Sequence, residues 1–454
     1  MPDPTLRCDI AISRATVLPF EGPSQVIADC DIVISGRHIV AMGAGAAGTF
    51  APDRIIDGRD LIIMPGLCNA HTHSTETLAR GLADAAPFAT WIEAVWTRLD
   101  ALDPEALAIG VRLAAAEMLH GGVTSVVDHF RQTPACAHAI DAAAQAWIGT
   151  GMRTTLAIML RDRGVPAWVN TSLSNAFDVD RQLALCNGAA TRWGSGSGDL
   201  NIAIGPSSPT RCTDRMLTGI KTLAGASNLK IHMHADETRE DAALARSVDG
   251  ATAISRLHTL GLLGPHLSVA HAVWVTEDDI DRLADSGTFV VHNPVSNLRL
   301  GSGRAPIERM LARGVQVAIG TDGAASNDTQ NVLEATKLAV MLPRIAVSDR
   351  AQWPTAATGL AMAIATPARA FAMGSGALKV GDAADFAAFD RHSLPLAPCN
   401  DLATQIVFAG AALRARHVAI GGKLVVDDHT ITTFDEAALL ESASGLHFQN
   451  HPDA

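Results

Sequence analysis

Two histidine pairs, two lone histidines and two carboxylates stand at the ends of apolar runs along this chain. His71-Thr-His73 closes the run Leu61-Ile-Ile-Met-Pro-Gly-Leu-Cys-Asn-Ala. In a β-strand alternate side chains share a face, so both imidazoles point one way and can grip one ion at about 2.0–2.1 Å. His232-Met-His234 closes a second run, and one of these imidazoles can complete a metal shell, with Glu237 just beyond. His271 follows Ser268-Val-Ala, and the next run offers His292, Asn293, Ser296 and Asn297. Asp322 lies in Ala318-Ile-Gly-Thr-Asp-Gly. Three or more imidazoles with one carboxylate suit Zn²⁺ or Fe²⁺, and too few protein ligands remain to exclude water. An open position means catalysis, because a bound water then loses its proton near pH 7 instead of near about 15.7. Asp322 can take that proton and Glu237 can carry one to a substrate, a division of labour that points to hydrolysis.

These groups need a scaffold that gathers strand ends. Apolar strand, polar turn and amphipathic helix alternate through the middle of the chain, the pattern of a parallel sheet. The strand candidates are Leu61 to Leu67, Val123 to Asp128, Thr154 to Met159, Leu200 to Ile204, Leu229 to His234, Leu267 to Ala270, Thr288 to His292 and Val315 to Ile319. A helix is expected over Pro104 to Leu119, with Asp103 as N-cap, Pro104 at the first helical position and Gly121 and Gly122 as its stop. Eight such units predict a (β/α)8 barrel, whose chemistry collects at the C-terminal ends of its strands. Short Val- and Ile-rich runs broken by Gly and Pro occupy both chain ends, and predict one small β-sandwich built from the two. The expected division is a composite β-sandwich of residues 1–60 plus 376–454 and a catalytic barrel of residues 61–375. The stretch from Thr75 to Leu102, with Trp91 and Trp96, is long for a loop of such a barrel and is a candidate lid or substrate wall.

At 454 residues, 48% hydrophobic and 18% charged, the chain has the composition of a globular protein with a large core. Its net charge of −12 and lack of a basic block argue against nucleic-acid binding, which leaves small molecules as the expected partners. Seven scattered cysteines without a Cys-x-x-Cys pair fit reduced thiols. With neither an apolar signal core at the N-terminus nor a run of 18 apolar residues, the expected place is the cytoplasm, away from membranes. The apolar outer helices of a barrel make a homo-oligomer the expectation.

Pro65-Gly-Leu-Cys-Asn-Ala-His-Thr-His, His232-Met-His-Ala-Asp-Glu-Thr, His292-Asn-Pro-Val-Ser-Asn-Leu-Arg-Leu-Gly-Ser-Gly and Gly320-Thr-Asp-Gly-Ala-Ala-Ser-Asn together resemble the amidohydrolase superfamily over nearly the whole chain. The text looks most like the branch that deaminates or dechlorinates nitrogen heterocycles: adenosine-derivative, guanine-type, pterin and triazine enzymes. The resemblance implies one divalent metal per chain, zinc most often and iron sometimes, held by His71, His73, His234 and Asp322, with His232 as a neighbour. It implies that Glu237 shuttles a proton to a ring nitrogen, that His271 orients or polarises at the attacked carbon, and that Asp322 also takes the water proton. The reaction implied is hydrolytic deamination of an amino-substituted heterocycle (purine, pterin, pyrimidine or related). A triazine-type chloro- or alkylamino-hydrolase or a cyclic amidase is the alternative, and a non-catalytic scaffold of the same fold a third reading. Trp91, His129, Ser207, Asn293 and Ser296 are the candidate substrate contacts. One departure bears on substrate: methylthioadenosine and S-adenosylhomocysteine deaminases carry Pro-His-Ala-Pro after the fourth strand, and here Gly205-Pro-Ser-Ser-Pro puts Ser207 in place of that histidine. The ribose-binding glutamate of that group would fall near Asp100, so a heterocycle smaller than a nucleoside is expected.

Overall fold

The computed structural model describes residues 6–20, 26–131, 136–163, 178–194 and 198–446. Strands β1 (Leu6–Val17), β2 (Ile27–Ser35), β3 (His38–Gly43), β4 (Phe50–Asp57) and β5 (Leu61–Pro65) come first. The barrel strands follow: β6 (Leu67–Thr72), β7 (Val123–Phe130), β8 (Arg153–Leu160), β9 (Leu200–Pro206), β10 (Ile231–Ala235), β11 (Leu267–His271), β12 (Phe289–His292) and β13 (Val317–Ile319). Strands β14 (Phe386–Asp390), β15 (Ala415–Ile420), β16 (Lys423–Asp427) and β17 (Thr430–Ile431) complete the set.

Strands β6 to β13 pair in chain order, each parallel to the next, with helices between them. The seam between the last strand and the first is bridged by the Asp322 N–H, which donates to the His71 carbonyl at 2.9 Å. Gly320 permits this approach: a Cβ there would lie 2.7 Å from Cβ of His71 and 2.4 Å from Oδ1 of Asn293. The same bond ties the backbone of the eighth strand end to that of the first, where the chemistry was expected.

The two chain ends build one further sheet in the order β17-β16-β15-β14-β5-β1-β2-β3, with β4 on β1. The long β1 pairs with β4 along Leu6–Ser13 and with β5 only at Thr16 and Val17. Its break at Arg14, where φ is +63°, turns the strand from one partner to the other, so the sheet folds over as a small sandwich. Ile10, Ile12, Ile32, Ile34 and Ile63 from the first part of the chain bury against Phe386 and Ala388 from the last. Burial of a side chain of this size is worth about 1.5–3 kcal/mol, which fastens the ends together.

One expected strand proves to be two. Leu61–Pro65 lies in the terminal sheet, antiparallel to β14, and the first barrel strand begins only at Leu67. Pro65 has no amide to continue a ladder, and Gly66 sits where a Cβ would come within 2.1 Å of the Thr124 side chain. The Pro-Gly pair is thus the joint between sheet and barrel. The stretch expected as a loop holds a 3₁₀ turn, Ser74–Ala79, and a helix, α1 (Phe88–Asp100), that buries Trp91, Ile92, Val95, Trp96 and Leu99. Helix α2 (Pro104–His120) starts as expected, with the Ala106 amide donating to Asp103 Oδ1 at 2.8 Å. No described helix is long and apolar enough to cross a membrane.

Candidate metal centre and active site

Imidazoles from β6, β7, β10 and β11 converge at the C-terminal mouth of the barrel, where parallel strand ends bring together side chains far apart in sequence. Nε2 of His73 lies 3.1 Å from Nε2 of His234. Oδ1 of Asp322 lies 3.3 Å from Nε2 of His71 and 3.5 Å from Nε2 of His73. Four donors held at about 2.0–2.1 Å from one tetrahedral ion would be about 3.4 Å apart, so these spacings fit a divalent metal.

The hydrogen bonds behind the imidazoles free those nitrogens as lone pairs. Nδ1 of His73 donates to the His129 carbonyl at 2.6 Å, and Nδ1 of His234 to the Ser207 carbonyl at 2.7 Å. For His71 the partner is another histidine. Ser268 Oγ donates to the Ile231 carbonyl at 3.4 Å and accepts from His232 Nδ1 at 2.7 Å. Nε2 of His232 then accepts from His71 Nδ1 at 2.7 Å. Nε2 of His71 is left buried without a hydrogen-bond partner, pointing at Asp322. An orphaned buried nitrogen is costly unless an ion takes it. His71, His129 and His232 also lie close enough to be considered as a ligand set, but His232 Nε2 is committed to His71 and His129 Nε2 lies 3.1 Å from the Gly205 carbonyl. The arrangement follows the usual rule that a ligating histidine is oriented through its other nitrogen.

Burial and neighbouring imidazoles disfavour the charged form of His71, His129, His232 and His234, and the neutral imidazole is the form that binds metal. Burial pushes His71 down to about 4, against the pull of Asp322, and pushes His234, His232 and His129 well below the ordinary histidine range. At Asp322 burial raises the carboxyl, yet the attraction of the adjacent His71, and then of His271 and His73, outweighs it and holds the group well below the usual carboxylate range. Asp322 sits at φ +64° and His271 at φ +74°, left-handed conformations that cost side-chain-bearing residues about 1–3 kcal/mol each.

A cavity of about 410 Å³, counting its open mouth, lies over the cluster and is bounded by His73, His234, His271 and Asp322 on the metal side. Glu237 also faces it, 4.0 Å from Nε2 of His271; burial is the largest influence on this carboxyl and raises it. His271 Nδ1 donates to Asn297 Oδ1 at 2.8 Å, which turns its Nε2 to within 3.8 Å of Asp322 Oδ2. Trp91 forms part of the wall and anchors through its indole N–H to the Ala325 carbonyl at 3.1 Å.

The remaining expected contacts fall elsewhere. His129 stacks on His73 with ring centroids 5.4 Å apart, behind the cavity. Ser207 accepts from Arg211 Nη1 at 3.2 Å through its hydroxyl. Ser296 donates to Asp322 Oδ2 at 2.6 Å, and Asn293 is fully buried with neither end of its amide hydrogen-bonded. None of these four is on the cavity wall. Among the wall residues not singled out in the sequence are the charged Glu76 and Arg211. Glu76, three residues past His73 in an otherwise uncharged turn, is 4% exposed and has no partner for Oε2. Its isolation among apolar and hydroxyl residues is the sequence signal that marks it.

The model of the amidohydrolase family matches residues 62–425. The 5-methylthioadenosine/S-adenosylhomocysteine deaminase of Haloarcula marismortui is 33% identical over 441 residues, covering 97% of this chain and 95% of that one. Among solved structures, an adenosine deaminase from Xanthomonas campestris with bound zinc superposes with a TM-score of 0.88 at 30% identity, covering 97% of this chain and 98% of that one. The atrazine chlorohydrolase of Arthrobacter aurescens, complexed with zinc, gives a TM-score of 0.87 at 27% identity, covering 96% of this chain and 99% of that one. The chain belongs to the amidohydrolase family.

Proposed function

We propose that the protein deaminates an amino-substituted nitrogen heterocycle hydrolytically, using one divalent metal held by His71, His73, His234 and Asp322. The family makes it a hydrolase of carbon–nitrogen bonds. The observation that carries the reading is the juxtaposition of Glu237, a buried carboxyl raised by its surroundings, with His271 and the convergent donor set in one cavity. Zinc is favoured over iron by the tetrahedral spacing of the donors, and by the zinc in the related adenosine deaminase and chlorohydrolase structures.

Bound there, the metal supplies a water acidified to near neutrality. Asp322 accepts the water proton on Oδ2, the oxygen that faces His271 and Ser296. His271 presents Nε2 to the group at the attacked carbon, its ring fixed by Asn297. Glu237 holds a proton at a pH where an exposed carboxyl would not, and delivers it to the ring nitrogen next to that carbon. The ring nitrogen keeps that proton, and the added oxygen passes its remaining proton to Glu237 as it becomes a carbonyl. Ammonia leaves with the proton first taken up by Asp322, so both carboxyls return to their starting state. Trp91 provides an apolar surface against which a flat ring can lie.

The triazine hydrolase reading keeps the same nucleophile and expels chloride or an alkylamine. The acidic Glu237 favours deamination, because an amine-bearing ring carbon is less electrophilic than a chlorinated one and gains more from protonation of the neighbouring ring nitrogen. The test is ammonia release by the metal-analysed protein across aminopurines, pterins, aminopyrimidines, their nucleosides and triazines. Ammonia from one class, abolished in Asp322→Asn, supports the reading. Metal-replete protein that releases chloride or alkylamine but no ammonia overturns it.

A further inference from the structure

The cavity wall away from the metal is cationic, in a chain whose net charge is −12. The guanidinium carbons of Arg131, Arg161 and Arg211 lie 4.4, 4.9 and 5.3 Å from the ring centroid of Trp96. All three arginines are at least nine-tenths buried, at 4%, 5% and 7% exposure. Cation–π contact with an indole lowers the cost of burying one guanidinium, but three on one ring repel one another.

Carboxylates do not balance the group among the described residues. Asp100 pairs with Arg131 at 2.8 Å, and is thereby engaged rather than free for substrate hydroxyls. Glu76 and Glu237 feel Arg131 and Arg211 electrostatically, but no hydrogen bond joins them. Asp162, next to Arg161, is used by the Thr213 amide at 2.8 Å. The stretches 132–135 and 164–177, which follow these arginines in the chain, contain no acidic residue. Arg131 Nη1 and Arg211 Nε have no hydrogen-bond partner, although both side chains line the cavity. Arg211 is held at its post by Ser207, the residue first expected to touch substrate.

We propose that this wall is the binding site for an anionic group on the substrate, a carboxylate or a phosphate, taken by Arg131 and Arg211 with Arg161 behind them. Planar guanidinium forks match both oxyanions, and charge-assisted hydrogen bonds are the strong ones. Such a group would satisfy the two free N–H donors and relieve the repulsion that, with burial, pushes Arg161 down to about 10. The inference rests on the deaminase reading for the identity of the reacting ring, but not for the anion site itself. The substrate it describes is an amino-heterocycle with an acidic substituent beside the ring.

The test has a binding arm and a turnover arm, both on metal-loaded protein. In the first, melting temperature is measured with benzoate, benzamide and inorganic phosphate. Benzoate and benzamide differ chiefly in charge, so protection by benzoate alone reports an anion site. That protection should vanish in Arg211→Gln and Arg161→Gln while metal content is kept, which separates the arginines from anion binding to the ion. In the second, ammonia release is compared for an aminopyrimidine with and without a ring carboxylate, and for an aminopurine nucleoside with and without a 5′-phosphate. The anionic member of one pair should show kcat/KM higher by on the order of 10- to 100-fold, and Arg211→Gln should erase the difference. Which pair responds tells carboxylate from phosphate. If Arg211→Gln does not fold, Arg211→Lys, which keeps the charge and loses the fork, should retain part of the preference. Equal handling of charged and neutral members, or a preference untouched in both variants, overturns the inference and leaves the deaminase intact. Benzoate protection that depends on the arginines, with no ammonia from any compound, supports the anion site and overturns the deaminase.

Discussion

Ser296 Oγ donates to Asp322 Oδ2 at 2.6 Å, while Oδ1 of the same carboxylate faces His71 and His73 at 3.3 and 3.5 Å. The two oxygens therefore have separate partners: one points among the converging imidazole nitrogens and the other toward His271 and the cavity. The strained φ of Asp322 is what presents both at once, on a backbone pinned to the His71 carbonyl.

Removing the Ser296 hydroxyl should loosen the proton-accepting oxygen without touching the ligand oxygen. Ser296→Ala is expected to keep about one metal per chain and to lower kcat by on the order of 10-fold or more, the worth of one hydrogen bond to a charged group. Asp322→Asn should lower kcat by orders of magnitude. Metal analysis beside steady-state kinetics checks both; loss of the metal in Ser296→Ala would show that the hydroxyl holds the ligand instead.

Glu237 lies 4.0 Å from His271 Nε2 and outside the set of converging donors. Glu237→Gln should therefore leave metal content unchanged and reduce deamination by about 10² to 10⁴, the usual contribution of a positioned proton donor. A chloro-substituted ring, whose carbon is already more electrophilic, should be less affected. Deamination unchanged in Glu237→Gln would remove Glu237 from proton transfer.

The convergence of the histidine pairs was legible because it lives in local patterns: an apolar strand followed by His-x-His needs no tertiary information to place both imidazoles on one side. Even there His73 lies one residue past the end of its strand, at Thr72. The joint at Pro65-Gly66 was written as a turn signal inside what reads as one apolar run, but which sheet each half joins depends on Phe386 and its neighbours, more than three hundred residues away. The relay from Ser268 through His232 to His71 spans three strands and has no linear signature. The arginine wall was hidden for the same reason: Arg131, Arg161 and Arg211 end or follow different strands and meet only because α1 lays Trp96 among them. Ser207 and Ser296, expected at the substrate, proved to hold other side chains in place, a distinction that residue type alone does not make.

The thiols should divide sharply in reactivity. Cys68, Cys186 and Cys212 are buried and pushed up to about 12, chiefly by burial, and Cys8 and Cys30 are buried with raised values as well. The thiolate is the reactive form, so these five should be silent toward a disulfide reagent at pH 8. Exposed Cys399 should react quickly and half-buried Cys136 more slowly. A spectrophotometric thiol titration should give two groups in native protein and seven after denaturation, matching the count in the sequence. More than two in the native state would mean that the barrel or the terminal sheet opens on the time scale of the reaction.

Glu76 should make stability depend on pH in a direction opposite to that of a salt-bridged carboxylate. Burial, then the charge of Asp322, raises it well above its ordinary value, with Arg131 opposing. Below the unfolded value near 4.5 both states are protonated and the shift has its full stabilising effect. As pH rises, the unfolded chain releases this proton before the folded one does, so the folded state loses ground until the folded value is passed. Glu76→Gln removes that slope while keeping the shape of the side chain. The variant should therefore melt at nearly the wild-type temperature at pH 5 and above it at pH 8, with the gap widening between. Chelating the metal should widen the gap further, because a nearby cation favours the ionised carboxyl. A gap of the same size at both pH values would assign the effect to packing and leave the charge of Glu76 without influence on folding.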